Sequence, residues 1–262
     1  MAKVFLTGDL HSDPRRFGKT AFLDLTKDDL VIVLGDFGLM FEETESKTER
    51  YWLDWLENKP FTTLFLDGNH ENFDRLNALP VESRFGGRVH MLRPSVVHLM
   101  RGELYDLNGF KTFVFGGAPS HDIQGFASNE ELSRDYTAGV LKKDDPSFKK
   151  KKDRLKKQKR DFRVEGVNWW RAEFPSEEEF AHGLDTLEKA NFHVDLVLTH
   201  DAPEAYQNEL NTDVPHSALN DYLEQLRTRL TYKHWFFGHY HRDTMLTDTD
   251  GCLYETVPEL TD

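Results

Sequence analysis

Cysteine is nearly absent from this chain, and that scarcity excludes two kinds of site at once. Cys252 is the only cysteine among 262 residues, so neither an internal disulfide nor a zinc site built from several thiolates is possible. One cysteine fits a reducing compartment. The opening segment, MAKVFLTGDLH, has only a short apolar run, too short for a signal peptide or a membrane span. We therefore expect a cytoplasmic protein with no membrane partner.

Basic side chains are outnumbered by acidic ones, 33 against 46, and the formal net charge is −13. This balance favours solubility and counts against a broad nucleic-acid-binding surface. The exception is one dense basic run, KKKKDRLKKQKR, from Lys149 to Arg160. We interpret the run as an amphipathic lysine-rich helix, or alternatively as an arm that attracts a phosphorylated substrate to the active site.

Short apolar strands alternate with helical stretches, which favours an α/β fold with a sheet covered on both faces. Asn108-Gly109 predicts a hairpin between two of the strands, and Ser176 with Glu179 forms a capping box that predicts a helix start. Pro14 opens a predicted helix that runs to about Leu25. The predicted strands lie at 3–7, 30–34, 62–66, 96–100, 103–107, 111–115, 194–198 and 234–237.

The length suits one domain over residues 1–262. Only the segment at about 123–175, which contains the basic run, is irregular. We predict that this segment is a cap-like insert and that substrate specificity lies in it.

Five of the apolar strands end at side chains that can bind a metal ion. In an open α/β sheet, ligands gather at the carboxyl ends of the strands. An aspartate after a glycine is a common turn and a lone histidine is usually structural, but five such endings together predict a metal site. The residues are Asp9, His11, Asp36, Asn69, His70, His200, His239 and His241.

The mixture of nitrogen and oxygen ligands suits Mn, Fe or Zn better than Ca or Mg, with Mn the first choice in vitro. Seven of these eight residues as ligands would be too many for one ion and suit two, with a carboxylate between them. Two divalent ions about 3.5–4 Å apart clamp a phosphoryl group for in-line displacement. His239 and His241 are expected to point to the same side, because side chains in a strand alternate with period two.

The ordered motifs GDLH (Gly8 to His11), GD (Gly35-Asp36), GNHE (Gly68 to Glu71), TH (Thr199-His200) and GHYH (Gly238 to His241) resemble those of the calcineurin-like metallophosphoesterases. The motifs extend from residue 8 to residue 241. The resemblance implies an α/β fold with a two-sheet β-sandwich flanked by helices and the metal site at the carboxyl ends of the strands.

The resemblance also implies a division of the ligands. One ion would be held by Asp9, His11 and His241, the other by Asn69, His200 and His239, with Asp36 bridging them. His70 would not bind metal but would protonate the leaving oxygen as a general acid, a task suited to histidine near neutral pH. Glu71 is expected to orient His70, or alternatively to be an acid in the first turn of a helix.

The resemblance further implies a hydrolase of phosphoric ester bonds, acting on a phosphomonoester or phosphodiester by attack of a metal-bridging hydroxide. The sequence departs from the family pattern after Asp36. Leu39 stands where many members have aspartate or asparagine, and Met40-Phe41 follow where the protein Ser/Thr phosphatases have an arginine. This departure counts against a phosphoprotein phosphatase. Candidates for binding the substrate phosphate are Arg242 and His121, with Arg15 and Arg16 as further options. Asp201 is either a support for the metal ligands or a solvated loop acid.

Two other functions remain open at this stage. One is a nuclease that binds RNA or DNA through residues 149–160, and the other is a non-catalytic metal-binding interaction module. The expected partner is a phosphorylated small molecule or a nucleotide. The residues do not indicate the substrate, the native metal pair or the oligomeric state.

Overall fold

Twelve strands form two six-stranded sheets in the computed structural model, which describes residues 2–18, 22–211 and 214–261. In the first sheet the strand order is β1-β2-β3-β6-β5-β4. Strands β1, β2, β3 and β6 are parallel neighbours. The pairs β6–β5 and β5–β4 are antiparallel. The strands are β1 (Val4–Thr7), β2 (Leu30–Leu34), β3 (Thr62–Leu66), β4 (Val81–Arg84), β5 (Gly87–Arg93) and β6 (Val96–Leu99).

The second sheet has the order β11-β12-β10-β9-β8-β7. Strands β12, β10, β9 and β8 are parallel neighbours, and antiparallel hairpins close both edges. The strands are β7 (Glu103–Leu107), β8 (Phe110–Phe115), β9 (Leu196–Thr199), β10 (His234–Phe237), β11 (Thr244–Met245) and β12 (Asp250–Cys252).

The main core lies between the two sheets, because alternate strand residues of both meet in one buried cluster. Ile32 and Leu64 of the first sheet and Leu196 and Leu198 of the second are fully buried members of it. The intervening residues, such as Val31, face outward and pack under the flanking helices. The predicted two-sheet β-sandwich flanked by helices is confirmed.

Helices cover the outer face of each sheet. Helix α1 (Lys47–Glu57) packs on the first sheet through Leu53 and Leu56. The second sheet is covered by α5 (Glu177–Lys189), α6 (Glu204–Leu210) and α7 (Ala218–Arg229). The one-turn helix α2 (Phe73–Leu76) follows β3. In the part of the chain that the structure describes, no helix is both long and apolar enough to cross a membrane.

The predicted turn and cap signals are confirmed. Asn108 and Gly109 have φ values of 56° and 95°, the left-handed pair that a two-residue hairpin turn of type I′ requires. Ser176 and Glu179 form the reciprocal capping box at the start of α5. The basic run is helical, since α4 (Phe148–Gln158) covers most of it.

One expectation about the elements is wrong, and one hairpin was missed. The helix predicted from Pro14 to about Leu25 is a short 3-10 helix at Pro14–Gly18, and residues 19–21 of that prediction lie outside the described part. The hairpin β4–β5 was not predicted. Strand β4 has an exposed, mostly polar sequence, and a register shift between Met91 and Arg93 interrupts the alternation of β5.

Residues 123–175 contain α3 (Asn129–Arg134) and α4, and they supply none of the described strands of either sheet. A small cluster of Leu141, Leu155 and Val164 holds the segment together. The structure thus places a separate packing unit between β8 and α5. That this unit is a cap-like insert in a single domain stays a prediction.

Candidate metal centre

The loops after β1, β2, β3, β9 and β10 meet at one end of the sandwich. Strands β1, β2 and β3 are parallel neighbours in one sheet, and β9 and β10 are parallel neighbours in the other. Their carboxyl ends therefore lie at a common edge, as the sequence predicts. The structure brings the predicted ligands together there.

Asp9, His11 and His241 form the first group. His241 Nε2 lies 3.0 Å from Asp9 Oδ2 and 2.9 Å from His11 Nε2. His11 Nε2 lies 3.7 Å from Asp9 Oδ2. These three ligand atoms lie within 4.8 Å of one another, which is the spacing of ligands around one metal ion.

Asp36 lies between this group and the second. Its Oδ1 accepts hydrogen bonds from the backbone N–H groups of Asn69 and His70, both at 2.8 Å, and lies 3.5 Å from His200 Nε2. Its Oδ2 lies 3.8 Å from His11 Nε2. One carboxylate thus faces ligands of both groups, the position that a bridging ligand needs.

The second group consists of Asn69, His200 and His239. His200 Nδ1 donates to the Leu34 carbonyl at 2.7 Å, so Nε2 carries the lone pair. The rings of His200 and His239 are 4.9 Å apart. Asn69 Oδ1, His200 Nε2 and His239 Nε2 are buried and have no hydrogen-bond partner among the described residues. Buried polar atoms are rarely left unpaired, so these three are candidates for binding a cation.

Strained backbone places several of these side chains. His11, Asp36, His239 and His241 all have positive φ, between 45° and 67°. Such conformations are uncommon for residues other than glycine and persist where the surrounding structure fixes them, often at functional sites.

The structure corrects the expected cause of the histidine pair's orientation. Strand β10 ends at Phe237, so strand alternation does not act on His239 and His241. The left-handed loop sends His239 towards His200 and His241 towards His11 and Asp9.

Gly68 and Gly238 permit the close approach of the loops. A Cβ on Gly68 would lie 2.2 Å from Asp36 Oδ1 and 2.7 Å from His200 Nε2. A Cβ on Gly238 would lie 2.5 Å from Asp9 Oδ1. Any side chain at either position would therefore displace a candidate ligand.

Several titratable groups of this site, Asp9, Asp36 and His239, are buried. Burial, and then the charge of Asp9, raise the pKa of Asp36 well above its usual value. Burial acts in the same direction on Asp9, but the contact with His241 and the charge of His200 outweigh it and lower the pKa of Asp9. Burial lowers the pKa of His239. Divalent ions would compensate the cost of burying these groups, because they would take the place of protons on the ligand atoms.

His70 lies at the mouth of the site and is only half-buried. Its Nε2 is 3.9 Å from Asp36 Oδ2, and its ring contacts those of His11 and Phe41. Burial, followed by the charge of His11, lowers the pKa of His70 to about 3, so the imidazole is neutral. His11, Asp36 and His70 also have ligand spacing, so distances alone do not separate a ligand from a general acid here.

Glu71 does neither of the two things expected of it. It precedes Asn72, the N-cap of α2, and therefore stands outside the first helical turn. Its carboxylate is buried and accepts backbone hydrogen bonds from Phe37 and Gly68, both at 2.8 Å. Among the described residues it forms no hydrogen bond with His70. Glu71 instead holds the loop after β2 against the loop after β3.

Glu71→Gln is expected to change how stability depends on pH in the metal-free protein. Burial, then the charges of Asp36 and Asp67, raise the pKa of Glu71 from 4.5 to about 8. Stability linked to the protonated form is complete below the unfolded pKa and is lost as pH rises through the folded pKa. Glutamine does not titrate, but it turns an NH2 group towards one backbone N–H, at a cost of ~1–3 kcal/mol.

The deficit of Glu71→Gln relative to wild type should therefore be largest below about pH 4.5, the unfolded pKa, and shrink as the pH rises to about 8, the folded pKa. Urea denaturation in EDTA measures both proteins at each pH. A deficit that grows with pH would show that the ionised carboxylate stabilises the fold, contrary to this account.

The predicted phosphate-binding residues lie at different distances from the centre. The His121 ring is 5.9 Å from the His239 ring and is exposed, so it borders the site. Arg242 is exposed and donates to the Leu210 carbonyl at 2.5 Å. The substrate-binding roles of His121 and Arg242 stay predictions.

Arg15, Arg16 and Asp201 make local contacts. Arg15 pairs with Asp13 on the surface, and Arg16 donates to the Asp9 carbonyl at 2.8 Å. Asp201 is buried and accepts a hydrogen bond from Tyr240, so it is not a solvated loop acid. It fixes the residue between His239 and His241, which is a supporting role.

Sequence reasoning missed the contribution of Glu173, near the end of the irregular segment. Its carboxylate is fully buried and bonded to Ser120. Burial, opposed by those hydrogen bonds, raises the pKa of Glu173 to about 7. Ser120 precedes the candidate His121, but no local signal marks a glutamate 53 residues further on.

The sequence model of the family described as calcineurin-like phosphoesterase matches residues 2–243. A search of curated proteins found no match for the chain. The matched range includes every candidate ligand and all the strands except β11 and β12. The chain belongs to the calcineurin-like phosphoesterase family.

Proposed function

We propose that this protein hydrolyses a phosphomonoester or phosphodiester with two divalent ions. The observation that supports this most is the set of three unpartnered buried ligand atoms, on Asn69, His200 and His239, in loops at the same end of the sandwich as the cluster of Asp9, His11 and His241. Residues that bury polar atoms without partners destabilise the fold unless a ligand pairs them. A cation is the ligand that suits two imidazole lone pairs and an amide oxygen.

In this proposal Asp9, His11 and His241 hold one ion, and Asn69, His200 and His239 hold the other. Asp36 lies between them, with one oxygen near His200 and the other near His11. Two divalent ions, when bound, would supply charge to stabilise the phosphoryl oxygens and lower the pKa of bound water. The hydrogen bond from His200 to Leu34 fixes the tautomer that leaves Nε2 free for this task.

His70 is the proposed general acid. It is more exposed than the buried ligands, so an ester bound at the mouth can reach it. An anionic phosphoryl group beside the ring favours its protonated form, against the burial that keeps it neutral in the free protein. From there Nε2 can give its proton to the leaving oxygen.

Hydrolysis of nitrophenyl phosphate and of bis-nitrophenyl phosphate with added Mn2+ tests the proposal and separates monoesterase from diesterase activity. Turnover should disappear in EDTA and return with Mn2+. A panel of phosphorylated small molecules and nucleotides then defines the substrate. Bound metal without turnover of any of these would favour the non-catalytic binding module instead.

A nuclease is the second candidate, because α4 displays its lysines to solvent. Lys149, Lys150 and Lys151 are exposed, while Leu155 anchors the helix in the segment. If α4 binds nucleic acid, changing Lys149, Lys150, Lys151 and Lys152 to Ala should abolish an affinity that falls steeply with salt. Binding that is absent, or indifferent to salt, would remove this candidate.

A further inference from the structure

Glu173 links the irregular segment at 123–175 to the metal centre. It closes a 3-10 helix at Arg171–Glu173 and has no solvent exposure. Its backbone carbonyl accepts from Ala118 N–H at 3.2 Å and from the guanidinium of Arg101 at 3.2 Å. The position of Glu173 is thus fixed against the loop that follows β8.

Both carboxylate oxygens of Glu173 bind the same residue of that loop. Oε1 accepts from Ser120 N–H at 2.7 Å, and Oε2 accepts from the Ser120 hydroxyl at 2.7 Å. The serine is itself buried. A hydroxyl has one proton, and Ser120 gives it to the ionised carboxylate of Glu173, so in this state Ser120 Oγ can only accept any further hydrogen bond.

The remaining bond comes from Asn69. Its Nδ2 donates to Ser120 Oγ at 3.4 Å, while its Oδ1 is buried without a partner among the described residues. Because the Ser120 hydroxyl can only accept, it selects the NH2 side of the amide. The carbonyl oxygen, which is the side that binds a metal, is thereby turned away from Ser120 and left without a hydrogen-bond partner among the described residues.

We propose that Glu173 is a positioning residue for one metal ion of the pair, acting through Ser120 on the amide of Asn69. The inference rests on the proposed function, since it requires that Asn69 hold an ion. It makes the end of the irregular segment part of the metal centre, so the ion beside Asn69 and the packing of this segment stabilise each other.

Mn2+ binding measured by calorimetry, without substrate, tests the inference. Outer partners of metal ligands typically contribute about 10-fold to 100-fold in metal affinity. Ser120→Ala and Glu173→Gln should each weaken one of the two ions by about that factor and leave the other unchanged. The double variant should be no weaker than the worse single variant, since both residues belong to one chain of bonds.

Two further variants separate positioning from general destabilisation. Ser120→Thr keeps the hydroxyl and should bind Mn2+ with nearly the wild-type affinity. Asp29→Asn changes a buried carboxyl at the opposite end of β2, where Asp29 accepts from backbone N–H groups of Lys3 and Thr26. It should lower thermal stability and leave both ions bound.

Wild-type affinity in Ser120→Ala would overturn the inference even if Glu173→Gln does not fold, because Ser120→Ala removes only the hydroxyl. Equal weakening of both ions would overturn it too. Failure of the proposed function is a different result, namely wild-type protein that binds no pair of ions or turns over no phosphoester.

Discussion

Asp36→Asn is expected to abolish phosphoester turnover and to leave the fold intact. The amide matches the carboxyl in shape, and its oxygen can still accept the backbone N–H groups of Asn69 and His70. Its NH2 group then replaces Oδ2 on the side of His11, and it has no lone pair for a cation. The bound ions would contribute several kcal/mol of charge stabilisation to the transition state, and each 1.36 kcal/mol is worth about tenfold in rate. We therefore expect kcat to decrease by at least ~10³-fold.

Without metal, Asp36→Asn should not lose thermal stability, although it loses activity. Burial and the charge of Asp9 raise the pKa of Asp36, so the ionised carboxyl opposes folding in the metal-free protein as pH rises through that raised pKa. In EDTA near neutral pH, Asp36→Asn should therefore melt at or above the wild-type temperature. With saturating Mn2+ the order should reverse, since wild type gains the larger stabilisation from binding.

Calorimetric scans with EDTA and with Mn2+ measure both effects, and Asp29→Asn serves as the control for a buried carboxyl-to-amide change. An Asp36→Asn protein that keeps two tightly bound ions, or that keeps most of its kcat, would exclude the bridging role.

His70→Asn is expected to reduce kcat without removing metal. Loss of a positioned general acid costs about 10²- to 10⁴-fold. The decrease should be large for an alkyl phosphate, whose leaving oxygen needs a proton. It should be smaller for nitrophenyl phosphate, whose leaving group departs as a stable anion. Steady-state kinetics on the two substrates, with metal content measured on the same samples, gives the comparison.

The same variant tests whether His70 is a general acid or a metal ligand, because His11, Asp36 and His70 have the spacing of metal ligands. Release of an ion from His70→Asn would make His70 a ligand. An equal loss on both substrates would count against proton donation. His193→Asn is the control. It changes an exposed histidine just before β9, at the opposite end of the sheet, and should alter neither kcat nor metal content.

The sequence pattern predicted the convergence of the ligands, because convergence follows from parallel strands. The two-sheet sandwich was implied by the family resemblance, whereas the pattern alone favoured one sheet covered on both faces. Buried strands such as Leu30–Leu34 are continuous apolar runs, and a polar residue after each run must lie at the same edge as its neighbours. The hairpin β4–β5 lacked this signal, since β4 is an exposed edge strand. A pattern of apolar residues identifies a strand only when the strand is buried, and β4 is mostly exposed.

The sequence predicted which residues belong to the site better than it predicted the directions of their side chains. His239 and His241 were identified, but their directions come from left-handed backbone, which strand periodicity does not describe. Glu71 was expected beside His70 and instead clamps two loops through backbone N–H groups. Glu173 was missed because its partner Ser120 is distant in sequence. Such contacts depend on tertiary packing rather than on local spacing.

Counting the Mn2+ ions bound to wild type, His239→Ala, His241→Ala and the double variant tests the central claim most directly. The claim is that two ions lie on either side of Asp36, with one histidine of the pair on each. Electron paramagnetic resonance reports whether bound Mn2+ is paired or isolated. Wild type should bind a coupled pair, each single variant one isolated ion, and the double variant none. A double variant that still holds an ion would show that both histidines serve the same site, and would contradict the account.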